Sequence, residues 1–214
     1  MIRKLLTALL ASAVFYLLLP AILHPGALQR PQLWILVAVA LAISLLQPAY
    51  KPFDKSAPQQ DRGTAQQIVW SVYISQLVGI VEAVYFRYPQ SFEWDWVTTS
   101  ALIGIVVGLA LRVWAVLTLG RYFTWFITVH DDHQVIRSGP FRFIRHPAYC
   151  GAWILFISTV LLIHAWFAAV FSLLLQLSAY VRRIRYEEEM MIDKFGDSYE
   201  TYRSEVKAFV PLLW

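Results

Sequence analysis

The chain has 214 residues, of which 58% are hydrophobic and 15% charged, with a mean hydropathy of +0.54; soluble domains carry roughly 45–50% apolar and about 25% charged residues. An ordinary soluble domain is excluded, because the long apolar stretches are apolar all round, as lipid contact demands, and not along one stripe. The net charge of +4 does not point to nucleic acid, since no basic stripe with interleaved aromatics lies outside the flanks of those stretches, and the single cysteine, Cys150, excludes an intrachain disulfide and a cysteine-based metal cluster.

A bilayer core about 30 Å thick takes about 20 helical residues to cross. Four runs approach that length, at 5–23, 33–50, 68–86 and 97–119, separated by loops with proline, glycine and charge at 24–26, 51–62 and 87–96. The first run follows Arg3 and Lys4. It reads as a retained helix and not a signal peptide, being longer than a signal core of roughly 7–15 residues and followed by a poor cleavage site at His24–Pro25–Gly26–Ala27. A fifth apolar stretch, 149–180, is too long for one span, and a polar step at His164 divides it into a helical hairpin with short arms.

The expected fold class is therefore all-α, a polytopic transmembrane bundle of about six helices ending in a hairpin. Its N-terminal part is 1–96, and its catalytic part, 97–214, includes a loop at 120–148 and a tail at 182–214. Of the 18 basic residues, Arg30 and Arg87 fall on one side and Arg112 inside the fourth run. The other 15 fall on the opposite side with both termini. Basic residues accumulate in cytoplasmic loops, so the loop and the tail are expected to face the cytoplasm together. No internal repeat, Walker motif or glycine-rich dinucleotide fingerprint is present.

The loop is more polar and aromatic than a connector requires. Ser138–Gly139–Pro140 makes a turn, and Pro147 suits the first turn of the next helix, where its missing N–H is no loss. Arg145 and His146 then stand beside a helix N-terminus that favours an anion. Two readings stay open there: a docked carboxylate or phosphate, or an arginine meeting lipid phosphates beside a histidine cap. The tail reads as an amphipathic helix, a stop at Phe195–Gly196 and a short second helix. By composition alone, Arg182, Arg183 and Arg185 followed by Glu187, Glu188 and Glu189 are a basic collar and an exposed acidic face.

Together these segments resemble the isoprenylcysteine carboxyl methyltransferase family and its prokaryotic membrane methyltransferase relatives. The resemblance runs through Leu119–Gly120, Phe123–Thr124, His133, Val135–Ile136, Ser138–Gly139–Pro140, Arg145–His146–Pro147, Tyr149 and Gly151. It continues through Arg183–Ile184, Glu187–Glu188, Phe195–Gly196, Tyr199, Tyr202 and the ending 206–214. Phe141 departs from the pattern, which has tyrosine after the Gly–Pro turn, and residues 5–50 match nothing diagnostic.

The resemblance implies methyl transfer from S-adenosylmethionine to the carboxylate of a prenylated cysteine, with the lipophilic acceptor entering from the bilayer. It places the cofactor among His133, Gln134, Val135, Ile136, Gly139, His146, Pro147, Tyr149, Glu188, Tyr199 and Tyr202. Arg183, Arg145 and Glu187 become the catalytic candidates, with Arg183 holding the acceptor carboxylate by a bidentate contact. The alternative for each tyrosine is interface anchoring. No metal is expected, because no His/Asp/Glu set shows ligand spacing.

Glu82 and Arg112, ionisable residues inside predicted spans, are expected to pair with each other. His24 and His164 are expected to be solvated. Four rival functions remain: a phospholipid or small-thiol methyltransferase, an NADPH-dependent reductase of the sterol-reductase type, with Arg137 and Arg142 on the cofactor phosphate, and a non-catalytic lipid-binding or scaffold protein. A prokaryotic cytoplasmic membrane is the favoured location. The oligomeric state is not readable from the sequence.

Overall fold

The computed structural model describes residues 9–10, 12–46, 59–128 and 134–209. Among these, the main helices are α1 (Val14–Leu23), α2 (Pro31–Leu46), α3 (Thr64–Phe86), α4 (Trp96–Leu119), α5 (Pro147–Leu161), α6 (Trp166–Phe195) and α7 (Asp197–Glu205). No strand occurs among the described residues. Helices α3, α4 and α6 are long and apolar enough to cross a membrane, while α1, α2 and α5 are shorter apolar helices.

The hairpin predicted around His164 is present as α5 and α6, with unequal arms. The 15 residues of α5 rise about 22 Å at 1.5 Å each, less than the ~30 Å of a hydrocarbon core. The 30 residues of α6 rise about 45 Å, so the second arm overshoots. Its apolar part ends at Val181, and the charged stretch from Arg182 to Phe195 continues the same helix beyond it. Gly196, with φ +51°, ends α6 and turns the chain into α7.

Helix α4 packs along α5, and α3 along α6. The first pair meets backbone to backbone. A Cβ added at Gly108 would lie 2.6 Å from the Leu155 nitrogen, and one at Gly151 would lie 2.7 Å from that of Arg112. With Gly104 one turn earlier, this is the small-residue spacing that lets membrane helices approach closely. Gln76 on α3 reaches α5, its Nε2 donating to Thr159 Oγ1 at 3.0 Å inside the bundle. Ile103, Val106 and Leu117 of α4 and Phe167, Val170 and Leu174 of α6 point outward, where lipid solvates them.

Two sequence expectations are corrected at the hairpin end. His164 is not solvated: it is buried in the turn at φ +44°, contacting the Ser91 carbonyl and Asp95 Oδ1, each at 3.1 Å. His24 does lie exposed, stacked 3.9 Å from the Tyr88 ring. Nor do Glu82 and Arg112 face each other. Consecutive helices α3 and α4 run in opposite directions, so Glu82 lies near the hairpin turn and Arg112 near the other end. The Glu82 oxygens accept from Phe167 N at 3.1 Å and Ala168 N at 2.8 Å, capping α6 where its own N-cap, Ala165, offers no side-chain acceptor. Arg112 Nη1 donates to the Ala148 carbonyl at 3.0 Å, with its guanidinium 5.9 Å from the Trp125 ring centre.

Candidate active site

At the end opposite the hairpin turn, residues 120–128 and 134–146 fold against the overshooting part of α6. The joint is short. Ile144 bridges to Lys207, Arg145 N donates to the Lys207 carbonyl at 2.8 Å, and His146 N to that of Ala208 at 2.9 Å. This pairing satisfies backbone groups just before α5 and leaves Pro147, the first residue of α5, beside an open cleft.

The cleft is open to solvent, with about 850 Å³ of empty space when its open mouth is included. Its loop wall is Tyr122, Phe123, Phe126, Ile127, Val135, Ile136 and Phe141, and its floor is Arg145 to Tyr149. Glu187, Met190 and Met191 of α6 and Tyr199 and Tyr202 of α7 close the other side. A ligand therefore meets mainly apolar and aromatic surface, with one carboxylate, Glu187, and with Arg145 and His146 at the floor. The first N–H of α5 belongs to Ala148, which also lines the cleft.

Behind that lining lie two charged knots. In the first, Glu188 is buried and meets two arginines and a histidine. Arg145 Nε lies at 2.8 Å and His146 Nε2 at 3.1 Å from Oε1, and Arg203 Nε at 3.2 Å from Oε2. Burial works against the charged form, but the His146 and Arg145 hydrogen bonds and charges outweigh it and hold the Glu188 carboxyl down at about 2. Arg145 also donates through Nη1 to the Arg203 and Val206 carbonyls. Most of its donors thus clamp the tail.

In the second knot Arg183, only 3% exposed, donates from Nε to the Tyr149 hydroxyl at 3.1 Å. Its Nη1 donates to Asp61 Oδ1 and to Thr64 Oγ1, the latter at 2.9 Å, and its Nη2 to the Trp125 carbonyl at 3.1 Å. Tyr149 passes the contact on, donating to Glu187 Oε2 at 2.7 Å. Its ring stacks between His146 and Tyr180, at 5.7 and 5.5 Å.

Of the predicted site residues, Val135, Ile136, His146, Pro147, Tyr149, Tyr199, Tyr202, Arg145 and Glu187 line the cleft. Glu188 and Arg183 stand behind it. Gln134 is exposed beyond it. Gly139 serves the turn: its φ is +58°, and a Cβ there would meet Thr118 Oγ1 at 2.8 Å. His133 lies outside the described residues. Tyr202 donates to the Phe141 carbonyl at 2.6 Å. Burial pushes the Tyr202 phenol up to about 12 and, with the Glu188 and Glu187 charges, pushes Tyr199 well above its ordinary value, so both are neutral phenols at pH 7.

Sequence reasoning missed Asp61, Thr64, Arg203, Met190 and Met191. Asp61 had a readable signal, since Asp–Arg–Gly–Thr before an apolar run is a helix-start pattern. Its partner 122 residues away had none. No group of three or more His, Cys, Asp or Glu side chains able to hold a metal ion occurs among the described residues.

The family model of the isoprenylcysteine carboxyl methyltransferases matches residues 100–193. A probable protein-S-isoprenylcysteine O-methyltransferase of Oryza sativa subsp. indica is 33% identical over 152 residues, covering 70% of this chain and 78% of the relative. Protein-S-isoprenylcysteine O-methyltransferase A of Arabidopsis thaliana is 31% identical over 145 residues, covering 67% and 73%. Among solved structures, a eukaryotic intramembrane Ras methyltransferase, itself an isoprenylcysteine carboxyl methyltransferase, superposes with a TM-score of 0.66 at 22% identity. That superposition covers 97% of this chain and 74% of the other, and the likeness is one of fold.

Proposed function

Because this chain belongs to the isoprenylcysteine carboxyl methyltransferase family and is an integral membrane methyltransferase with it, we propose the following reaction. The enzyme moves a methyl group from S-adenosylmethionine to the carboxylate of an isoprenylated cysteine or a similarly lipophilic acid. The observation that carries this reading is the cleft itself. It lies between the loop and the overshooting arm of α6, at the edge of the apolar helix surface, with Glu187 and aromatic rings facing inward and Arg183 one contact behind.

The lining fits the cofactor's chemistry. When bound, S-adenosylmethionine supplies a methyl carbon made electrophilic by a sulfonium. The aromatic lining, Tyr122 and Phe123 among it, favours that cation, Glu187 suits the ammonium or the ribose hydroxyls, and the Ala148 N–H at the start of α5 suits a carboxylate. Val135, Ile136, Pro147, Tyr199 and Tyr202, which line the cleft, complete the proposed cofactor shell, with His133 close to it in sequence. We assign Arg145 and Glu188 to holding His146 and the tail in place. Arg183 holds the acceptor carboxylate.

An acceptor carboxyl with a pKa of about 3.3–3.7 is ionised at neutral pH and needs no base. The work left to the protein is orientation and exclusion of water. The cation set required by an NADPH reading is engaged elsewhere: Arg137 contacts the Ser198 carbonyl and lies over Tyr202, and Arg142 lies over Phe143. The distribution of basic residues supports a cytoplasmic cleft and cytoplasmic termini.

Thermal stability of the detergent-purified protein with S-adenosylhomocysteine, with NADPH and without ligand tests the cofactor, since ligand at about 100 times its Kd adds roughly 2.7 kcal/mol. Stabilisation by S-adenosylhomocysteine, followed by methyl transfer to N-acetyl-S-farnesylcysteine, is the expected result. Stabilisation by NADPH alone overturns the reading. Labelling of cysteines introduced at 87–96 and 134–138 from opposite sides of sealed vesicles tests the orientation.

A further inference from the structure

The Arg183 guanidinium has five N–H donors, and four are already engaged. Nε serves Tyr149, both Nη1 donors serve Asp61 and Thr64, and one Nη2 donor serves Trp125. The remaining Nη2 donor has no partner among the described residues. A bidentate grip on an acceptor carboxylate, which the family resemblance implies, therefore cannot form while Asp61 and Thr64 hold the Nη1 edge.

Asp61 is fixed in place. It is 2% exposed, and Oδ1 also accepts from Ile127 N at 3.1 Å and from Thr64 Oγ1 at 3.4 Å, while Oδ2 accepts from Ala65 N at 3.2 Å. The next two residues, Arg62 and Gly63, both have positive φ, +48° and +72°. Such a conformation is unfavourable for an arginine, so the surrounding contacts impose the sharp turn that leads from Asp61 into α3. Moving the carboxylate aside for a ligand would strand two backbone N–H groups and a buried guanidinium together.

Resting on the reading that Arg183 holds the acceptor, we propose that Asp61 is a positioning residue that occupies the Nη1 edge of Arg183 and so restricts the acceptor carboxylate to a single contact. The chemistry gives the reason. A carboxylate oxygen must attack the methyl carbon, forming the C–O bond as the C–S bond breaks and its electrons pass to sulfur. A bidentate arginine ties down both oxygens and stabilises the ground state. One contact orients the group and leaves the second oxygen free to react. Asp61 also ties Ile127, a residue of the cleft wall, to the same arginine, and it lies outside the stretch matched by the family model.

The test is Asp61→Asn in the full chain, assayed with N-acetyl-S-farnesylcysteine, with thermal stabilisation by S-adenosylhomocysteine as the check on folding. The amide keeps the size of the carboxylate but has one acceptor oxygen and no charge, so it cannot serve Nη1, the Ile127 N–H and the Ala65 N–H together, and the hold on Nη1 weakens. The expected result is a fall in kcat of more than fivefold with the acceptor KM unchanged within twofold or lowered, because the released edge strengthens ground-state binding. A smaller fall in kcat, or an acceptor KM raised more than twofold, overturns the proposal; a merely structural loosening raises KM. If Asp61→Asn does not fold, Thr64→Val, which frees the other Nη1 donor, is judged by the same criteria. Arg183→Gln separates the two levels. If it turns over acceptor with the parent KM, the assignment of Arg183 fails; if it raises KM while Asp61→Asn has no effect, only the role of Asp61 fails.

Discussion

The two ends of the bundle both engage carboxylates, and they use them differently; Asp61 and Glu188 at the cleft end are buried, whereas Glu82 is half-buried and Asp95 exposed. At the hairpin end two carboxylates are directed at the starts of helices: Glu82 caps α6 through Phe167 and Ala168, and Asp95 caps α4 through Val97 and Thr98. His164 closes the arrangement against Asp95. At the cleft end the buried carboxylates meet basic side chains, Glu188 with Arg145, His146 and Arg203, and Asp61 with Arg183. A cap satisfies backbone donors and ends there. A knot of side chains fixes rotamers, and here it holds His146, Tyr149 and Glu187 around an open space. The same residue types thus build a joint at one end and a site at the other.

The comparison is broken most severely at Glu188. Glu188→Gln removes the charge that Arg145, Arg203 and His146 share, and loss of one partner from a buried pair costs about 3–5 kcal/mol. The expected outcome is a large drop in denaturation midpoint together with loss of S-adenosylhomocysteine binding; a variant with unchanged midpoint would show that the knot is not structural. Glu187→Gln separates site from scaffold. Hydrogen bonds to charged groups contribute about 1.5–3 kcal/mol, so S-adenosylhomocysteine affinity should fall by roughly 10- to 150-fold, read by titration calorimetry, while the melting temperature stays near that of the parent.

At the hairpin end the effects are smaller and fall on stability alone. Glu82→Ala removes the cap of α6 and should cost about 0.5–2 kcal/mol with turnover per folded molecule unchanged. Lost turnover in a fully folded variant would move Glu82 into the machinery. The mildest effect is a pH dependence at Asp95. The Thr98 N–H, with the His164 contact and the Val97 N–H, lowers its carboxyl below the usual range. A depressed native pKa contributes stability that is present above the unfolded value and lost as pH falls through the native one. Hydrogen exchange at the first turn of α4 should therefore quicken as pH drops below about 4, after correction for intrinsic rates, and Asp95→Asn should remove that dependence.

The helical architecture was legible because lipid-facing runs, proline and glycine breaks and the polar step at His164 are local signals. So were the stop at Gly196 and the loop and tail motifs whose order carries the family resemblance. Residues 5–50 carried no such motif, and nothing local marked Asp61 as a partner for Arg183.

What the sequence by itself determined is which segments are helical, where they end, and the family whose chemistry they serve, since periodicity, caps and motif order act over a few residues at a time. Only the tertiary structure decided which charges meet. Antiparallel packing of α3 and α4 keeps Glu82 from Arg112 and gives it α6 to cap, while the overshoot of α6 brings Arg183 to Asp61, 122 residues away. Burial then decides the pairing: a charge withdrawn from water needs a partner within hydrogen-bonding distance, and which partner lies that near is a property of the packed chain.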